Sequence, residues 1–214
     1  LTLGVADVFL SPTVAGLSAL LDAGEGESSS SAQPPLVAYE RDSGESSWMP
    51  ASFAQEQMLV LHSLSPESSL YNVPWCVRLD GAVDVESLRS AFGWLVERHE
   101  VLRTIYRVES SEAPQQMVVP IAEYVLQLCV ADVASIEEAM AMVDDDVSRG
   151  FDLSGGAPVM RVLLVRVSAV EHVLLVNTHH IATDEWSVNM IYQQLGEAYA
   201  AFTAGSAYVM TRLS

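Results

Sequence analysis

From about Met49 to its end the chain alternates helical and strand periodicity, and that interleaving restricts it to layered folds in which helices cover a sheet. Strands are predicted at Val73–Leu79, Thr104–Val108, Tyr124–Val130, Val159–Val167 and His172–Thr178. The last two, with a loop of about four residues between them, read as a hairpin. Asp84 is placed to cap a helix whose apolar face is Val85, Leu88, Phe92, Leu95 and Val96. Ser135 and Glu138 form a capping-box pattern ahead of Ile136, Met140, Val143 and Val147. A final helix over about Val188–Phe202 aligns Val188, Ile191, Tyr192, Leu195, Tyr199 and Phe202 on one side. The expected fold class is α/β, an α+β layered sandwich around one sheet, without internal repeats.

The preceding residues differ in kind. Leu1–Leu21 reads as a turn followed by a helix, with Ser11 as N-cap, Pro12 at the first helical position, and Val14, Leu17, Leu20 and Leu21 on one face. Twenty-one residues cannot enclose a core, so this zone is expected to be the end of something larger. Asp22–Trp48 holds Gly24, Gly26, Ser28–Ser31 and Pro34-Pro35 and is expected to be a flexible linker. The chain lacks an initiator Met and a basic leader, which suggests a piece of a longer, non-exported polypeptide.

Charge narrows the choice of partners. Ten arginines and no lysine stand against 28 acids, a net charge of −18, which disfavours nucleic acid and anionic lipid. The longest apolar runs fall well short of the ~20 residues a membrane span requires. Cys76 and Cys129 have apolar neighbours and no metal spacing, and are expected to be buried, reduced thiols of a cytoplasmic protein.

The most informative stretch is Thr178-His179-His180-Ile181-Ala182-Thr183-Asp184-Glu185-Trp186-Ser187, between the end of an apolar strand and the start of a helix. Adjacent histidines point in different directions, so one faces a cavity while the other fits a core site. An imidazole with an ordinary pKa near 6.5 suits general-base work. A zinc site lacks a third strong ligand nearby, so no metal is expected. Asp184 either caps the following helix or pairs with a cation.

This stretch resembles the His-His-x-x-x-Asp-Gly signature of acyltransferases built like chloramphenicol acetyltransferase, above all the condensation domains of nonribosomal peptide synthetases. Three further segments agree in order. Ser52-Phe53-Ala54-Gln55-Glu56-Gln57-Met58 resembles the family's opening Ser-x-Ala-Gln-x-Arg-Leu/Met, with Gln57 in place of Arg. Arg98-His99-Glu100-Val101-Leu102-Arg103-Thr104-Ile105-Tyr106 resembles Arg-His-Glu-x-Leu-Arg-Thr-x-Phe. Phe151-Asp152-Leu153-Ser154 through Arg161 resembles the approach to the two strands before the histidines.

The resemblance implies the N-terminal lobe of a two-lobe condensation domain over residues 49–214, a linker over 22–48, and the end of a peptidyl carrier domain over 1–21. It implies amide formation between carrier-bound thioesters, with His180 catalytic and His179 structural. Asp184 would pair with Arg103, or else with Arg98, while Glu185, Trp186 and Ser187 lie beside the substrate tunnel. No cofactor is bound directly; substrates ride on the phosphopantetheine of upstream and downstream carriers, whose attachment Ser is not in this chain. Glu185 replaces the signature Gly, and the chain stops where the family crosses to its second lobe, so the piece alone is expected to be inactive. A non-catalytic carrier-docking or scaffold module and a free-standing ester-forming acyltransferase are the alternatives.

Overall fold

The computed structural model describes residues 5–23, 47–108, 113–154, 156–206 and 208, so most of the expected linker lies outside the described residues. Two compact units divide the chain, residues 1–41 and 42–214. The first contains helices α1 (Val5–Leu10) and α2 (Val14–Ala23). Its expected cap is corrected. The Ser11 N–H donates to the Asp7 carbonyl and so closes α1, whereas the Thr13 hydroxyl accepts from the Gly16 N–H at 3.1 Å and caps α2. Ser11–Thr13 is a connector, and Thr13, the last residue before the helix, is the one placed to reach its first turn. Of the expected apolar face, Val14 and Leu20 are exposed.

The second unit runs β1 (Met49–Pro50), α3 (Phe53–Leu64), β2 (Asn72–Asp80), α4 (Val85–Arg98), a 3₁₀ turn at Glu100–Arg103, β3 (Thr104–Arg107), β4 (Gln115–Val118), β5 (Leu128–Asp132), α5 (Ile136–Ser148), β6 (Met160–Ser168), β7 (Glu171–His179) and α6 (Glu185–Thr203). There are two sheets among the described residues rather than the one expected, in the orders β2–β7–β6–β5 and β1–β4–β3. No helix of the described residues is long and apolar enough to cross a membrane.

In the larger sheet β6 and β7 are central, and both faces of this pair are covered. Phe92, Leu95, Leu195 and Ala198 of α4 and α6 pack with Met160, Leu164, Leu174 and Val176 on one face. Ala139 and Val143 of α5 pack with Leu163, Val165, Val173 and Leu175 on the other. Double coverage is why these two strands are almost uninterrupted apolar runs. Only Ala169 and Val170 separate them, a tighter turn than the four residues expected. β5 runs parallel to β6, and α5 supplies the crossover that a parallel pair needs.

The outer strands explain two corrections. Cys76 on β2 and Cys129 on β5 are exposed, not buried. They are in register with Leu175 and Leu163, so they share the face on which α5 covers the two central strands and leaves the flanks open. The strand expected at Tyr124–Val130 is Leu128–Asp132, because pairing with β6 begins only at Leu128↔Val162. Pro74 is tolerated in β2 because that strand is an edge and needs no N–H on its outer side.

Local rules set the helix starts. The Asp84 carboxylate accepts from the Ser87 N–H at 2.6 Å and the Ser135 hydroxyl from the Glu138 N–H at 3.2 Å. The Glu138 carboxylate turns back to the Ala134 N–H, one residue before the cap. Ser52-Phe53-Ala54-Gln55 opens α3 through a full capping box. A third apolar cluster of Ala51, Leu59, Tyr106, Phe151, Leu153, Val159 and Ile181 ties α3 and the smaller sheet to the residues just past β7. It is the floor on which the two histidines stand.

Candidate active site

His180 is the first residue beyond β7. Its N–H donates to the Tyr71 carbonyl at 2.9 Å, and the N–H of His179 donates to the Val159 carbonyl at 3.0 Å, so both flanking segments anchor the strand end. The His180 ring is exposed, with Nδ1 2.8 Å from the Thr183 carbonyl oxygen. A carbonyl can only accept, so Nδ1 carries the proton and Nε2 keeps its lone pair. His180 lines a cleft of about 650 Å³ with Gln55, Gln57, Met58 and Leu61 of α3 across from Ile181–Asp184 and Ser187. A neutral imidazole with one open nitrogen on such a wall can accept a proton or a hydrogen bond from an amine.

His179 is 2% exposed. Its Nδ1 accepts from the Ile181 N–H at 3.0 Å, and the rings of His62, Tyr71 and Phe151 surround it at 6.4, 6.1 and 6.0 Å. Burial first, then the nearby His62 and His180, pushes its pKa down to about 4. The unfolded chain takes up this proton near pH 6.5 and the folded chain only near 4. Stability from this group is therefore complete above about pH 6.5 and declines as pH falls towards 4, by about 3 kcal/mol in all. Urea unfolding at pH 7 and pH 4.5 is expected to show a shallower acid loss in His179→Gln than in wild type. Equal losses in the two proteins would rule this out.

The expected Asp184–Arg103 ion pair does not form. The Asp184 carboxylate accepts from the Ser187 N–H at 2.8 Å and the Ser187 hydroxyl at 2.7 Å, while the Asp184 N–H donates to Ser187 Oγ at 2.8 Å. This reciprocal box starts α6, and its two bonds from Ser187, the backbone one first, hold the Asp184 carboxyl below its ordinary pKa. Arg103 is already satisfied by the Val119 carbonyl at 2.7 Å, the Val96 carbonyl at 3.2 Å and Glu100 at 3.5 Å, so it ties the end of α4 to the smaller sheet. Arg98, the other candidate, lies over the Trp94 ring at 5.6 Å. A cap accepts replacement by another capping residue, whereas an ion pair does not. Asp184→Ala is expected to lower the thermal midpoint and Asp184→Ser to restore most of it. A Ser variant as damaged as Ala would exclude the capping role.

Glu185 and Trp186 are exposed in the first turn of α6 and do not line the cleft; Ser187 does. No described residue other than glycine has a positive φ, so the backbone at Glu185 has no use for the freedom of glycine. A carboxylate there is favourable at a helix N-terminus.

The buried ion pair lies elsewhere. Arg161 meets Asp146 at 3.2 Å with both side chains almost out of solvent, donates to the carbonyls of Asp146, Arg149 and Gly150, and stacks on the Phe151 ring at 3.9 Å. Asn177 of β7 donates to Asp146 at 2.9 Å, and Asn72 of β2 donates to the Val147 and Arg149 carbonyls. Gly150 lies so close to the Glu67 backbone that a Cβ would come within 3.0 Å of it. Sequence analysis quoted Phe151 and Arg161 only as part of a resemblance, and Asp146 and Asn177 carried no signal there.

A profile described as Condensation domain matches residues 45–214. The chain belongs to the condensation-domain family. The condensation segment is 36% identical over 203 residues to one of the linear gramicidin synthase proteins of Brevibacillus parabrevis, covering 92% of this chain and 2% of that protein. It is 39% identical over 199 residues to the dimodular nonribosomal peptide synthase of Bacillus subtilis, covering 93% of this chain and 8% of that protein. Among solved structures, the X-domain from teicoplanin biosynthesis superposes with TM-score 0.73 at 27% identity over 84% of this chain and 37% of that one. The starter condensation domain of rhizomide synthetase superposes with TM-score 0.69 over 78% of this chain and 40% of that one; at 19% identity it speaks for the fold, the expected chloramphenicol-acetyltransferase-like lobe. The chain thus spans a small part of its curated relatives and under half of the solved neighbours.

Proposed function

We propose that this condensation-domain segment forms amide bonds between carrier-bound substrates in nonribosomal peptide synthesis. The observation that carries the reading is the open Nε2 of His180 on the cleft wall, set by the Nδ1 bond to Thr183. The acceptor amine adds to the donor thioester carbonyl, the new C–N bond forms, and the C–S bond breaks with the thiol leaving on the donor's phosphopantetheine arm. The amine's proton passes to His180 Nε2, which later gives it up to the thiolate or to water. Holding amine and thioester in one cleft supplies a large part of the rate, because a bimolecular step becomes intramolecular.

Upstream and downstream carrier domains are the partners, and residues 1–21 are read as the end of a carrier. A second lobe supplies the facing wall of the cleft, a reading supported by the share of solved neighbours that the chain spans. The cytoplasm, where loaded carriers are made, is the setting.

The test supplies loaded donor and acceptor carriers to the complete condensation domain and to residues 1–214 alone, with product read by mass spectrometry. Amide from the complete domain and none from 1–214 is expected. Carrier binding without product would identify a docking module. Product formed only with a hydroxyl acceptor would identify an ester-forming enzyme.

A further inference from the structure

We propose that Thr178 and Thr183 are positioning residues that act as a hydroxyl latch, holding the Thr183 carbonyl where it selects the tautomer of His180. The inference rests on the reading of His180 as the group that meets the amine.

Both threonines are 4% exposed, and their Oγ1 atoms are 2.6 Å apart. Thr178 Oγ1 lies 3.3 Å from the Val73 carbonyl, and Thr183 Oγ1 lies 3.4 Å from the His179 carbonyl. Two hydroxyls own two protons. One lies between the oxygens, and the other goes to a strand carbonyl, on β2 or on β7. Either arrangement fastens residue 183 to the sheet, since buried hydroxyls without partners are costly. The Ala182 N–H, donating to the His179 carbonyl at 3.0 Å, draws the same turn tight.

The consequence falls on the imidazole. With the loop fastened, the Thr183 carbonyl stays 2.8 Å from Nδ1 and keeps the proton there. With the loop released, water replaces the carbonyl and the proton exchanges between the two nitrogens. A ring protonated at Nε2 presents a donor to the cleft and cannot accept the amine's proton.

Thr183→Val keeps the branched shape and deletes the hydroxyl; Thr183→Ser keeps the hydroxyl. In the ¹⁵N-labelled chain above pH 8, the His180 nitrogens of Thr183→Val are expected to move towards the Nε2–H pattern, and those of Thr183→Ser to match wild type. A general base contributes about 10²–10⁴-fold, so partial loss of the competent tautomer is expected to lower kcat of the complete condensation domain on the order of tenfold with KM nearly unchanged. Thr178→Val releases the latch from its other end and decides the matter should Thr183→Val fail to fold. His180 nitrogens unchanged in the folded valine variants would overturn the proposal. A tautomer shift without loss of kcat would support the latch and count against His180 as the proton acceptor.

Discussion

Replacing His180 by alanine is expected to slow amide formation by the complete condensation domain by about 10²–10⁴-fold, the range of a positioned general base. Its stability is expected to change by less than about 0.5 kcal/mol, as for other exposed side chains. The pairing of these two results matters, because neighbouring His179 predicts the reverse. That ring is buried and neutral, so its replacement costs folding first and rate second. Stopped-flow or single-turnover assays with loaded carriers, beside urea unfolding of both variants, give the comparison. A loss of only a few-fold in His180→Ala would reassign the residue from proton acceptor to substrate positioning. Unchanged turnover would remove it from the reaction.

Breaking the Arg161–Asp146 pair is expected to cost about 3–5 kcal/mol in Arg161→Met, which leaves a buried carboxylate without its cation. The guanidinium also closes off the Asp146, Arg149 and Gly150 carbonyls at the end of α5, so those acceptors lose their donor as well. Arg161→Lys is expected to recover only part of the loss, because a single ammonium cannot reproduce a planar fork stacked on Phe151. Urea unfolding of Arg161→Met, Asp146→Asn and the double variant measures the coupling directly. A cost below about 1 kcal/mol for Arg161→Met would show the pair to be replaceable by packing.

The elements most legible in the sequence were those whose burial is one-sided or complete. Helices α4, α5 and α6 were predicted from stripes such as Leu88, Phe92 and Leu95, and β6 and β7 from apolar runs, because hydrophobic periodicity records which face meets the core. The smaller sheet was not legible. β4 begins Gln115-Gln116 and β1 has two residues, so their pairing rests on backbone bonds that leave no apolar pattern. Cys76 and Cys129 misled for a related reason: apolar neighbours in sequence mark a strand, but the register and width of α5 decide which strand is covered. At the site, resemblance and spacing identified the two histidines. Asp184 was ambiguous because the same carboxylate spacing serves a cap or a distant cation, and only the folded position of Ser187 separates them. Thr178 and Thr183 were invisible, since a hydroxyl pair five residues apart meets only after the chain has turned.

The pairing of β2 with β7 joins residues about a hundred positions apart, a separation that makes folding slow. During synthesis β2 leaves the ribosome long before its partner exists, with Trp75, Val77 and Leu79 presented along an open edge. The parallel pair β5–β6 also waits for its crossover helix. The last sheet strand to emerge is the one that ends at His179, so the central sheet and the cleft wall are completed together, by a single late event. A nascent chain stalled before β7 would hold most of its helices yet expose an unpaired apolar strand, the kind of intermediate that aggregates and that chaperones retain.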